Sequence, residues 1–197
     1  MTVTISIEII HIISYTSNRQ TRKRGNMKHG QRDSLSLGET ITSIFIGVFA
    51  AFMFMSVFTV ADVHGHSMEP TLTEGSKIFV LKYFKPDYND IVIAISHTSS
   101  DMPFYLIKRV IGLPGDTIQF KNNSLYRNGE LIDEPYIKEE MITQDMEITL
   151  KEDEYFICGD NRNNSTDSRS DKEGCFNSDL IFGKVLLELR VNNKSQN

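Results

Sequence analysis

The sequence predicts a mainly β protein, in which a single N-terminal transmembrane helix precedes one all-β domain with a folded-over, barrel-like sheet. Residues 41–61 form a continuous stretch without charge. Beyond it, turn-forming residues recur roughly every 8–12 residues, which is the spacing of short antiparallel strands. That remainder shows no sustained helical period. Its length, about 135 residues, is enough for one compact domain and too short for two.

The charge-free stretch is long enough to cross a bilayer. As a helix that rises about 1.5 Å per residue, it spans the roughly 30 Å hydrocarbon core. A cleavable signal peptide is the competing interpretation, but such a peptide has an apolar core of only about 7–15 residues followed by a small-residue cleavage site. No such site precedes Asp62. We therefore expect a retained anchor over residues 39–62.

The distribution of charge predicts the orientation of this anchor. Residues 1–38 carry a net charge of +4, whereas the whole chain carries −5, so the remainder carries −9. The positive-inside rule then places the basic tail 1–38 in the cytoplasm and residues 63–190 outside it. The basic residues of the tail are Arg19, Arg22, Lys23, Arg24, Lys28 and Arg32.

The two ends of the chain carry no predicted fold. A start at Met27 would remove no recognisable element, so residues 1–26 are either a genuine tail or an artefact of start assignment. Residues 191–197 are a polar C-terminal tail.

The domain after the anchor is predicted to contain short strands with β-branched residues. An Asn128-Gly129 pair interrupts the run 124–132 and is the strongest short hairpin signal. The other predicted strands are 77–83, 90–96, 104–111, 116–120, 146–150, 154–158 and 181–189.

The two cysteines, Cys158 and Cys175, allow two interpretations. Outside the cytoplasm an even pair can form a disulfide. Cys158 nevertheless ends the apolar run 155–158, where a buried free thiol behaves as a small hydrophobic side chain. The sequence favours the free thiol.

Ser67 is the first candidate for chemistry because of its neighbours. Gly65 allows close backbone approach, and Pro70 holds the residue before it extended, which predicts a rigid extended segment. The charge-free stretch ends six residues before Ser67, so Ser67 lies close to a membrane surface. The alternative is an ordinary loop serine.

A serine nucleophile needs a base, and two residue types are available. Adjacent residues of an extended chain point to opposite faces, so His66 should not reach the Ser67 hydroxyl. His64 and His66 share a face and could hold a metal, but no third ligand is evident. Lys108 alternates with apolar residues along its predicted strand. Its amine is therefore either at a sheet edge in water or desolvated, which would lower its pKa.

A polar segment follows the strand 154–158. It contains Asp160, Arg162, Asp167 and Arg169, which are either part of a surface loop or a fixed network of ion pairs that holds the end of a strand beside a site. Arg109, next to Lys108, is a natural partner for one of these carboxylates.

Four blocks follow one another along the chain: SMEPTL at 67–72, NDIV at 89–92, YLIKRVIGLPGD at 105–116 and GDNRNNSTDSR at 159–169. Placed after an N-terminal anchor, they resemble the bacterial type I signal peptidases (leader peptidases), in their small Gram-positive-like form. The resemblance covers about residues 39–190, and the order of four blocks makes it specific.

The resemblance implies a Ser/Lys dyad with Ser67 as the nucleophile and Lys108 as the general base. It also implies that the Ser67 backbone N–H forms part of the oxyanion hole. Gly65 stands where some relatives have a serine that completes the hole, which leaves the second donor open. Ser165 matches the family's serine that hydrogen-bonds to the lysine and orients it. The residues that form the family's structural ion pairs correspond here to Asp160, Asp167 and Arg169.

The implied activity is that of a serine endopeptidase of the bacterial cell membrane. It would cleave after small residues at −1 and −3 of exported pre-proteins that carry signal peptides, and it would need no metal and no cofactor. The resemblance also implies that the enzyme lies in membrane lipid near the secretion translocase and that it binds no nucleic acid.

Two other interpretations compete with this one. A self-cleaving repressor of similar fold would need a DNA-binding region in place of residues 41–61. A tethered β-domain that only binds partners would not need Ser67 and Lys108.

Overall fold

The computed structural model describes residues 37–98 and 104–189. Within them, a 21-residue helix, α1 (Leu37–Val57), precedes eleven strands. The segment 1–26, which is either a genuine tail or an artefact of start assignment, lies outside the described residues. The predicted polar tail 191–197 also lies outside them. The strands are β1 Phe58–Asp62, β2 Lys77–Leu81, β3 Ile91–Ile95, β4 Tyr105–Gly112, β5 Thr117–Lys121, β6 Ser124–Arg127, β7 Glu130–Leu131, β8 Met146–Thr149, β9 Glu154–Cys158, β10 Phe176–Asn177 and β11 Ile181–Leu189.

Helix α1 is long and apolar enough to cross a membrane. Its 21 residues rise about 31 Å, which is already the thickness of the hydrocarbon core. The helix ends at Val57, and the last apolar residues form β1, which pairs antiparallel with β2. The expectation of a helix over the whole charge-free stretch is therefore wrong at its end. Residues 58–62 are strand because they pair with β2 and because Ala61 is buried in the core of the β domain.

The strands form two antiparallel sheets. Seven strands lie in the order β1-β2-β11-β3-β4-β9-β10, and four lie in the order β7-β6-β5-β8. This arrangement confirms the predicted mainly β architecture after one N-terminal apolar helix. All the predicted strands are present, with ends within two residues of the expected ones, while β1 and β10 were not predicted.

The predicted hairpin is also confirmed. Asn128 and Gly129 both have positive φ, at 54° and 83°, which is the backbone of a two-residue turn that matches the strand twist. The flanking residues Arg127 and Glu130 are paired in register. Asparagine and glycine adopt this conformation with less strain than other residues.

The interior of the β domain is formed by three clusters of apolar side chains. The first includes Ala61 and Val63 before Ser67, and Met68 and Leu72 after it, so the core holds the chain on both sides of Ser67. The third includes Cys158, which is a free and fully buried thiol, and Cys175 is also free. Burial raises the pKa of the Cys158 thiol, which keeps it protonated and consistent with a small hydrophobic side chain.

Candidate active site

Ser67 lies in a turn between β1 and β2. The Leu72 N–H donates to the Met68 carbonyl at 2.9 Å, and both of these side chains are buried. The peptide between Glu69 and Pro70 is cis. The expected extended segment is therefore wrong: the chain turns here because Met68 and Leu72 enter the same core cluster. This anchorage fixes the backbone next to Ser67.

The Ser67 hydroxyl is bonded to Lys108. The Lys108 Nζ donates to the Ser67 Oγ at 2.7 Å, although the two residues are 41 positions apart. Lys108 lies on β4, which has β3 on one side and β9 on the other. The interpretation of Lys108 as an edge residue is therefore excluded, and the side chain is only 1% exposed.

The environment of Lys108 favours its neutral form. Burial lowers the pKa of this amine to about 8 from its ordinary value of 10.5, while the negative charge of Asp167 opposes the shift. The predicted direction of the shift is confirmed. An amine with this pKa is neutral in a substantial fraction of molecules near neutral pH, and it can accept a proton from a bonded hydroxyl.

His66 points away from this pair. Its side chain is 57% exposed, its Nδ1 lies 2.7 Å from Glu69 Oε1, and its Nε2 lies 3.8 Å from Glu74 Oε2. The expectation that His66 does not serve Ser67 is thus supported by the partners of the ring. In residues 37–98 and 104–189, no group of three His, Cys, Asp or Glu side chains could hold a metal.

Gly65 adopts a conformation that favours glycine. Its φ is 89°, and its N–H donates to Glu74. The positive φ turns the chain just before the nucleophile, where a residue with a Cβ would be strained.

Arg109 holds the first carboxylate of the polar segment. Its Nε donates to Asp160 Oδ1 at 2.8 Å and its Nη2 to Asp160 Oδ2 at 2.6 Å. The Thr71 hydroxyl donates to the same carboxylate at 2.5 Å. Thr71 belongs to the turn that contains Ser67, and Arg109 follows Lys108 on its strand. This bidentate ion pair therefore connects the turn of Ser67 with the strand of Lys108. The expected partnership of Arg109 is confirmed.

Asp167 and Arg169 form a second pair, with Arg169 Nε 2.9 Å from Asp167 Oδ1. The Gly159 N–H donates to the other oxygen of Asp167 at 3.0 Å. Burial alone would raise the pKa of Asp167, but the hydrogen bonds and charge of Arg169, together with the Gly159 N–H, lower it. The carboxylate therefore stays charged close to Lys108.

Arg162 departs from the expected network. It is buried and makes its two-pronged pair with Glu134, at 2.6 Å and 2.5 Å, instead of with a residue of its own segment. The Tyr136 hydroxyl donates to Glu134 at 2.8 Å, and the Arg109 guanidinium lies 4.1 Å from the centre of the Tyr136 ring. Sequence reasoning missed Glu134 and Tyr136, because Glu134 lies 28 positions before Arg162, Tyr136 lies 27 positions after Arg109, and no local pattern marks either residue.

Gly159 makes a close approach to the nucleophile. A Cβ at this position would lie 2.5 Å from the Ser67 carbonyl oxygen and 2.3 Å from Ser165 Oγ. The Ser165 hydroxyl is buried and has no hydrogen-bond partner among the described residues. The structure does not show the hydrogen bond expected between Ser165 and Lys108.

The arrangement combines the parts that acyl transfer requires. A hydroxyl is bonded to a buried amine of lowered pKa, and both backbones are held by ion pairs and by the core. Such a pair can produce a nucleophilic alkoxide and later return the proton to a leaving group.

The chain is similar to known proteins in its sequence and in its structure. The family described as signal peptidase, peptidase S26, matches residues 37–189. Signal peptidase I P of Bacillus subtilis subsp. natto is 35% identical over 168 residues, which cover 78% of this chain and 89% of that protein. Signal peptidase I S of Bacillus subtilis strain 168 is 37% identical over 164 residues, 75% of this chain and 86% of that protein. A solved signal peptidase I from Enterococcus faecalis V583 has a TM-score of 0.45 and 31% identity, over 51% of this chain and 97% of that one.

Proposed function

The chain belongs to the signal peptidase family, peptidase S26, and from this premise we propose that it cleaves signal peptides from exported pre-proteins through a dyad of Ser67 and Lys108. As a member of the family it is a membrane-anchored serine endopeptidase. The observation that carries the dyad is the 2.7 Å bond between Lys108 Nζ and Ser67 Oγ, together with the lowered pKa of the amine.

The chemistry follows from these two groups. Neutral Lys108 takes the Ser67 proton while the Ser67 oxygen bonds to the scissile carbonyl carbon. The peptide C–N bond then breaks, and the Lys108 ammonium gives its proton to the leaving amine. Lys108 next removes a proton from water as the water oxygen bonds to the ester carbon of the acyl-enzyme. The bond from this carbon to Ser67 Oγ then breaks, the Lys108 ammonium returns its proton to Ser67, and the signal peptide leaves as a free acid.

The surrounding residues have supporting roles in this proposal. The Ser67 N–H donates to the oxyanion, and because Gly65 has no side chain, a second donor near it must come from elsewhere. The pairs Arg109–Asp160 and Asp167–Arg169 hold the two backbones of the dyad, as their distances support.

The membrane helix concentrates the enzyme with its substrate. We assign helix α1 as the anchor, with membrane lipid around it and the β domain outside the cytoplasm near the secretion translocase. A pre-protein is itself tethered by its apolar signal segment, so a shared membrane raises the effective concentration of the cleavage site.

We expect detergent-solubilised protein to cleave a labelled pre-protein with alanine at −1 and −3, and to fail when either residue is replaced by a bulky one. A pocket that accepts only small side chains would exclude the larger residue by steric clash. Gel separation of precursor and mature protein measures the outcome. Ser67→Ala is the matched control, and equal cleavage of all three pre-proteins would contradict the proposed specificity.

The orientation of the anchor gives a separate prediction. Because +4 precedes the apolar stretch and −9 follows it, protease added outside spheroplasts should digest the β domain and leave the N-terminal tail intact. Immunoblots against each end report the result. Digestion of the tail with protection of the domain would reverse the assigned orientation.

A further inference from the structure

One buried residue, Asn161, binds two consecutive backbone carbonyl groups at the nucleophile. The Asn161 Nδ2 donates to the His66 carbonyl oxygen at 3.0 Å. The Asn161 backbone N–H donates to the Ser67 carbonyl oxygen, also at 3.0 Å. Since a carbonyl oxygen only accepts, the amide nitrogen of Asn161 must be the atom that faces His66. Two consecutive peptide groups at the nucleophile are thus oriented by one residue.

The bond to His66 has a consequence for Ser67. The peptide between these residues is trans, and in a planar trans peptide the C=O and the N–H point in opposite directions. When the Asn161 amide holds the His66 C=O on its own side, the Ser67 N–H is directed to the opposite side. That N–H is the oxyanion donor assigned under the proposed function.

Asn161 itself is held firmly. It is 3% exposed, and its carbonyl accepts the Asn164 N–H at 3.0 Å. The residues on either side of it, Asp160 and Arg162, are each fixed by a two-pronged ion pair. A side chain anchored in this way can hold a backbone donor in place before the substrate arrives, which is the condition for electrostatic stabilisation of a transition state.

We propose that Asn161 is a positioning residue that orients the Ser67 N–H toward the oxyanion. The proposal rests on the proposed function, because it needs Ser67 to be the nucleophile. The Glu69 N–H also donates to the His66 carbonyl, at the longer distance of 3.3 Å. Loss of the Asn161 amide therefore leaves this carbonyl with a partner, so the fold persists while the peptide gains freedom to rotate.

The test is Asn161→Asp in the full chain, which keeps the size and the backbone N–H but removes the donor to His66. We expect kcat to fall on the order of 10- to 100-fold, with KM nearly unchanged. Asn161→Ala should give the same loss and keep the pH midpoint of activity, because Lys108 is not touched. Asn164→Asp adds the same charge to an exposed position of the same segment and should behave as wild type.

A second measurement separates orientation from structure. A peptide aldehyde with the cleavage-site sequence binds when Ser67 Oγ bonds to its carbon, the π electrons move to its oxygen and the Ser67 proton passes to Lys108. Both Asn161 variants should lose affinity for this aldehyde by the same factor as kcat, and should bind the corresponding uncleavable peptide as wild type does.

Two outcomes would overturn the inference. One is wild-type kcat and aldehyde affinity in both variants. The other is a parallel loss of uncleavable-peptide binding and thermal stability, which would make Asn161 a purely structural residue. In both cases an inactive Ser67→Ala leaves the proposed function standing, whereas an active Ser67→Ala would refute that function instead.

Discussion

Lys108→Arg will reduce cleavage of a pre-protein to the level of Ser67→Ala. The guanidinium keeps the positive charge but does not lose its proton in proteins, so it cannot take the proton from Ser67. The larger planar group must also fit a site in which Lys108 is 1% exposed. Initial rates of cleavage in detergent, at equal protein concentration, measure the loss.

His66→Ala is the matched control for this result. The imidazole is bonded to Glu69 and is largely exposed, so its removal should leave most of the activity. An active Lys108→Arg together with an inactive His66→Ala would instead make histidine the base. The wild-type rate should also rise with pH through a midpoint near the Lys108 pKa of about 8, because only the neutral amine acts as a base.

Gly159→Ala should remove activity almost as completely. The added Cβ would meet the Ser67 carbonyl oxygen at 2.5 Å and Ser165 Oγ at 2.3 Å. The first of these atoms belongs to backbone that is also bonded to Asn161, so relief requires the nucleophile to shift. Since a misplacement of about 1 Å can reduce a rate by roughly 100-fold, we expect a loss of at least this size in kcat.

Gly112→Ala separates this effect from ordinary overpacking. A Cβ there would meet only side-chain atoms, at 2.8 Å from Ile118 and from Leu150. We expect it to lower the free energy of unfolding by about 1–3 kcal/mol while kcat stays near the wild-type value. Equal activities for the two alanine variants would show that the close approach at Gly159 is not needed for catalysis.

Much of the fold was predictable because its signals are local. The hairpin at Asn128 and Gly129 follows from two residues that tolerate positive φ, and the strands follow from β-branched runs between turns. The strand β1 was not predictable, because residues 58–61 continue the apolar composition of helix α1. Its pairing with β2 depends on residues about 20 positions away.

The candidate site was predictable only in part. Alternation along β4 marked Lys108 as an unusual lysine, and the resemblance selected Ser67 from an undistinguished local setting. The partners Glu134, Tyr136 and Asn161 were missed, since each is identified by a contact distant in sequence. The turn at Ser67 was also missed, because burial of Met68 and Leu72 decided the backbone more strongly than the local preference of Pro70.

The burial of Lys108 also links proton binding to folding. In the unfolded chain this amine titrates near 10.5, and in the folded protein near 8. Between these values the unfolded chain holds a proton that the folded protein has released, so the contribution of this residue to the free energy of unfolding rises with pH. Below about pH 8 that contribution is lowest, on the order of 3 kcal/mol less than above pH 10.5. The lysine thus opposes folding most at the pH values at which its amine is mostly protonated, and alkaline solution increases both the fraction able to act as a base and the stability of the folded state.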